Sequence, residues 1–118
     1  MSEVLLLYIL LIHFLADFGL QTHDQATNKA SDIKYLIYHT GVYSIIWLLA
    51  SYIFLNDIVK SIQFAYITFL AHTVTDMLTA NIGKSFWKKN DYHNGFVVVG
   101  FDQILHYIQL YLTFKFLI

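Results

Sequence analysis

Seven side chains that can carry charge or ligate a metal interrupt otherwise apolar stretches of this 118-residue chain: His13, Asp17, His39, His72, Asp76, Asp102 and His106. His13 and Asp17, His72 and Asp76, and Asp102 and His106 are each four residues apart. On a helix that step turns the second side chain only about 40° from the first, so each pair shares a face. Four imidazoles and three carboxylates, with no cysteine in the chain, form a nitrogen and oxygen ligand set suited to Zn, Mn, Fe or Ni. Gln21, Thr79 and Gln109 extend these stripes, and Tyr35, His39 and Tyr43 make a matching one.

These residues need elements to hold them, and the composition says which kind. The chain is 58% hydrophobic and 13% charged, without Pro or Cys and with Lys as its only fixed cation, whereas soluble domains carry about 25% charged residues. So little charge cannot cover a folded surface in water. A net charge of −1 and the lack of Arg exclude the usual nucleic-acid binder, which needs a basic face and bidentate forks. No redox compartment can be read without cysteine.

Four apolar runs, at about residues 4–20, 34–55, 62–82 and 96–118, are each about the length of a spanning helix. The first lacks the basic flank and small-residue cleavage site of a signal peptide and is expected to stay in the protein. The connections are read as Gln21–Ile33, Asn56–Ser61 and Gly83–Gly95. Short connections between apolar helices predict an all-α fold: one integral membrane domain over 1–118, an antiparallel up-down-up-down four-helix transmembrane bundle. Lys29, Lys34, Lys84, Lys88 and Lys89 flank the first and third connections, against Lys60 and Lys115 at the other side. The positive-inside rule then puts those two connections in the cytoplasm, as in a bacterial inner membrane protein.

Depth brings the stripes together. At about 1.5 Å per residue, His13, Asp17, His72 and Asp76 approach the Lys-rich side while His39, Asp102 and His106 leave it, so all seven fall in one layer roughly 6–17 Å below that face. Three unpaired Asp at that depth would cost roughly 8–10 kcal/mol, so something must offset them. Two divalent ions with one hydroxide would neutralise three carboxylates, whereas one ion leaves a charge of −1. Taken singly, a His and an Asp four apart also suit an interhelical hydrogen bond. His23 and His93 fall in the connections and read as solvated, and Trp87, Lys88, Lys89 and Tyr92 read as an interfacial anchor.

The stretches His13-Phe14-Leu15-Ala16-Asp17-Phe18 with Gln21, His39, His72-Thr73-Val74-Thr75-Asp76, and Phe101-Asp102-Gln103 with His106 together resemble a family of short bacterial and phage integral membrane proteins catalogued as a domain of unknown function. The resemblance spans nearly the whole chain. It implies the four-helix membrane fold and these polar residues, and no activity. A looser similarity, in membrane His and Asp residues, is to membrane-bound metal-dependent hydrolases, whose denser His clusters this chain lacks.

The expected function is a membrane-embedded divalent-metal protein, a hydrolase of a lipid or other membrane-associated substrate. Its expected ions are Zn or Mn, with room for two. His13, Asp17, His39, His72, Asp76, Asp102 and His106 are the expected ligands, and water on the ion the expected nucleophile. Asp17, Asp76 and Asp102 are the candidates for general base, a choice spacing leaves open. Gln21, Gln103, Gln109, Thr79 and Tyr43 are expected behind the ligands or against substrate. One rival is a proton or cation conductor using the same residues. A one-sided polar distribution disfavours it, because a conductor needs polar groups across the whole membrane. Another is a phage or host membrane regulator in which the polar layer fixes helix pairing. Expected partners are membrane lipid and a second copy in a homo-oligomer, with no nucleic acid; no small-xxx-small seam marks an interface.

Overall fold

A computed structural model describes residues 2–19 and 31–118, and among these the protein is all-helical with no strand. Helix α1 (Ser2–Phe14) runs straight into a π-helical turn, Leu15–Gly19; then follow α2 (Ile33–Leu55), α3 (Ile58–Lys88) and α4 (Tyr92–Leu117). Gln21, His23 and Lys29 lie outside the described residues.

The last two helices are longer than the apolar runs suggest, and capping explains where they start. Asn56 takes the left-handed conformation (φ 53°, ψ 40°) and returns its N–H to the Tyr52 carbonyl at 2.8 Å. Asp57 immediately caps α3 by accepting from the Lys60 N–H at 3.1 Å. Asn and Asp suit these two positions because a short polar side chain tolerates the left-handed region and satisfies a free helix N–H. The second connection is therefore Asn56–Asp57 and not 56–61. Ser61 and Ser85, which read as loop residues, send their hydroxyls back to the Asp57 and Ile82 carbonyls at 2.7 and 3.0 Å, so they do not break the helix. The third connection shrinks likewise to residues 89–91, with Asn90 at φ 58° and Asp91 capping α4. Asn94 donates to both Asp91 oxygens, through its side chain (2.7 Å) and backbone (3.3 Å), and this holds the Asp91 carboxyl below the usual carboxylate range. Gly95 sits against Trp87 so closely that a Cβ there would meet three ring carbons at 2.8 Å.

Helix α3 packs along both α2 and α4, and α1 with its π-helical turn closes on α2 and α4. The interior has two layers. Towards the Asn56 turn, Leu5, Ile9, Trp47, Phe64, Leu110 and Phe114 form an apolar core. Its rings pair at 4.3 Å (Phe64–Phe114), 5.5 Å (Trp47–Phe64) and 5.9 Å (Trp47–Phe114), each such pair contributing about 0.5–1.5 kcal/mol beyond burial. Towards the Asn90 turn the interior is polar: His13, Asp17, His39, His72, Asp76, Asp102 and His106 are all buried. Ring pairs 39–72, 43–72 and 47–64 between α2 and α3 run in opposite sequence order.

Candidate metal centre

The within-helix pairs form as a four-residue step allows: His13 Nε2 to Asp17 Oδ2 at 3.5 Å, His72 Nε2 to Asp76 Oδ2 at 3.5 Å, and His106 Nε2 to Asp102 Oδ2 at 3.0 Å. Packing then joins the pairs across helices. His39 Nε2, from α2, lies 2.9 Å from Asp17 Oδ1, 3.2 Å from Asp76 Oδ2 and 3.2 Å from His72 Nε2. A neutral imidazole nitrogen carries at most one proton, so one N–H cannot serve three partners, and two facing Nε2–H groups would repel. A cation between the four atoms resolves the count.

Their spacing fits that reading. Five of the six edges, 39–17, 39–76, 39–72, 17–72 and 72–76, measure 2.9, 3.2, 3.2, 3.7 and 3.5 Å, an average of about 3.3 Å; a regular tetrahedron of that edge has its centre about 2.0 Å from each corner. Asp17, His39, His72 and Asp76, all buried, each offer one ligand atom within 4.8 Å of the others, and so could hold a metal ion. Asp17, Asp102 and His106 make a second such group. Asp76 links the two, because its Oδ2 faces the first group and its Oδ1 lies 3.1 Å from His106 Nε2.

His13 stands behind both groups. Its Nε2 donates to Gln103 Oε1 (2.5 Å) and its Nδ1 accepts from the Tyr43 hydroxyl (2.7 Å), so both ring nitrogens are engaged. This tautomer follows from Gln103, whose amide N–H groups donate to Asp17 Oδ2 (3.2 Å) and Asp102 Oδ2 (3.1 Å) and leave Oε1 free to accept. Tyr43 also stacks on His72 (3.8 Å, 18°), and His72 on His106 (4.2 Å, 26°), which fixes the ring planes in a column. Inside that column His72 Nδ1 finds no hydrogen-bond partner among the described residues, leaving Nε2 as the ring's polar contact. Thr79 donates to Asp102 Oδ1 at 2.5 Å.

Gln21 lies outside the described residues, and one further expected residue is elsewhere. Gln109 donates to Thr68 and Thr113 at 3.2 and 2.9 Å, in a separate small network nearer the apolar core. The step from His106 to Gln109 keeps the face but moves about 4.5 Å along the helix, out of the His and Asp layer. Thr68 escaped the sequence reading although the same four-residue spacing, continued back from Asp76 through His72, reaches it.

The chain matches a family model described as "Protein of unknown function (DUF3307)" over residues 5–118 and belongs to that family. No curated protein and no solved structure matches it.

Proposed function

We propose that this member of the family is a membrane-embedded divalent-metal protein, a metal-dependent hydrolase acting on a lipid or another membrane-associated substrate. The observation that carries the reading is the buried four-atom set of Asp17, His39, His72 and Asp76, with edges suited to tetrahedral zinc. Bridging by Asp76 towards His106 and Asp102 supports a second ion beside the first, as in two-metal hydrolytic sites. Zn or Mn fits a donor set without sulfur. Such an ion supplies acidified water and polarises an ester or phosphoester oxygen. Asp102 is the strongest candidate for general base because its side chain is the most exposed of the three carboxylates, at 11% against 5% and 1%. Gln103, held between Asp17, Asp102 and His13, orients the carboxylates.

The membrane reading is supported by what faces out. Among the described residues fourteen polar or charged ones are buried against eleven hydrophobic ones, while large side chains such as Leu11, Ile53 and Phe116 are 70%, 75% and 82% exposed. That inversion suits hydrocarbon as solvent. Helix α2 is long and apolar enough on its own to cross a membrane. Through their middle, helices α3 and α4 turn Thr68, His72, Asp76, Asp102, His106 and Thr113 inward, which lowers their mean hydropathy without placing charge on the lipid side there. The long axis of 46 Å is close to a bilayer with its headgroups, about 40–45 Å. The opposed ring pairs of α2 and α3 support the antiparallel bundle. Lys34, Lys84, Lys88 and Lys89 at one end support a cytoplasmic placement for the first and third connections of an inner-membrane protein. The Trp47, Phe64 and Phe114 layer closes the bundle towards the other end, which favours a pocket over a conducting path.

The test is elemental analysis of detergent-purified protein beside an Asp76→Asn variant. Wild-type protein is expected to carry transition metal near or above one equivalent, the variant much less, and chelation is expected to lower the melting temperature. Metal below roughly a tenth of an equivalent, with a melting temperature indifferent to chelator and to added Zn or Mn, leaves the layer a structural network.

A further inference from the structure

Between α3 and α4 runs a half-open groove of about 360 Å³, lined by Leu78, Thr79 and Ile82 on one side and Val97, Phe101 and Leu105 on the other. Apart from threonine its walls are apolar, and its volume is in the range of ligand sites, about 300–1,000 Å³. Thr79 is both wall and link, since its hydroxyl donates to Asp102 Oδ1. The groove therefore touches the polar centre at its most exposed carboxylate.

Charge at the mouth narrows the occupant. Lys89 follows Ile82 by seven residues, two turns on the same face and about 10 Å along the axis. Lys84 and Lys88, two and six residues beyond Ile82, stand on other faces of α3. Among the described residues the acids at this end are Asp32, which accepts from the Lys34 N–H, and Asp91, which is engaged by Asn94. An apolar slot ending at a lysine complements a molecule with a hydrocarbon chain and an anionic head. Resting on the membrane reading above, we propose that the groove binds one acyl chain of an anionic phospholipid, its headgroup at Lys89, and that the centre receives its substrate sideways from the leaflet through this groove.

Photocrosslinking tests this. The protein is placed in phosphatidylcholine nanodiscs containing phosphatidylglycerol with a diazirine on its acyl chain, and labelled positions are read by peptide mass spectrometry. Residues 78–82 and 97–105 should be labelled about fivefold more than the outward face of α2 around Ile45, Leu49 and Ile53, the ratio given by about 1 kcal/mol of preference. A diazirine phosphatidylcholine should show a smaller excess. A Leu78→Trp/Val97→Trp variant should abolish the excess while keeping the wild-type metal content. Equal labelling of both faces overturns the groove, whatever the metal content. Equal excess from the two lipids overturns the assignment of the headgroup to Lys89. Excess labelling in protein that binds no metal upholds the groove and defeats the metal centre, so the two failures are distinct.

Discussion

Zinc loaded into the purified protein is expected to sit among Asp17, His39, His72 and Asp76, and their spacing sets the bond length. Edges averaging about 3.3 Å put the ion about 2.0 Å from each ligand atom, against about 2.0–2.1 Å for zinc to imidazole and 2.0–2.2 Å for zinc to carboxylate. X-ray absorption at the zinc edge reads both the distance and the number of imidazoles, because the ring carbons scatter at characteristic longer distances. With one equivalent bound, the expected first shell is four nitrogen or oxygen atoms at about 2.0 Å, two of them from histidine. His39→Phe keeps an aromatic ring in place but removes the nitrogen that faces three partners. It should therefore lose one imidazole from the spectrum and weaken binding by at least about tenfold. A six-coordinate shell beyond about 2.1 Å without imidazole scattering refutes the assignment, as does an imidazole count unchanged by the substitution.

Other outcomes follow from the fold. A cysteine introduced at Lys88 should react with a membrane-impermeant thiol reagent only after cells are opened, and one at Lys60 in intact cells; the reverse pattern inverts the topology. Gly95→Val should destabilise by about 1–3 kcal/mol, because its side chain meets the Trp87 ring, and Trp87→Ala should relieve most of that loss in the double variant. Thermal melts of the four proteins in one detergent check this, and additive losses would show that the two residues do not touch. Trp47→Ala should cost about 3–5 kcal/mol through the cavity left among Phe64 and Phe114 while leaving metal content unchanged. Metal loss in that variant would mean the two layers are not separable.

The meeting of His and Asp was readable because two periodicities coincide. The four-residue steps of 72–76 and 102–106 give a shared face, and distance from the connections gives a shared depth. The ends of α3 and α4 were not readable from hydropathy. Ser61, Gly83 and Ser85 look like breakers, yet all three lie within α3, and the serine hydroxyls bond back to its own carbonyls. Nor could spacing separate His13 from the other imidazoles. Its place behind the two groups depends on Gln103 and Tyr43, contacts between residues ninety and thirty positions away. The groove was equally hidden, since apolar residues lining a slot look like apolar residues facing lipid.

The π-helical turn at Leu15–Gly19 has a consequence for which changes the first helix can accept. Asp17 sits inside this wider turn, and its two oxygens face His39 on one side and Gln103 on the other. Were one residue deleted there, the segment would rewind as α-helix and the side chains within the turn, Asp17 among them, would take new directions about the axis. A substitution at Leu15 or Phe18, both exposed, leaves the winding in place, although the Phe18 ring meets the His13 ring edge-on at 6.5 Å. An insertion or deletion between them misdirects a carboxylate that two other helices are built to meet. The first helix is thus constrained in length as well as in identity, so sequences related to this one should keep the count of residues from His13 to Asp17.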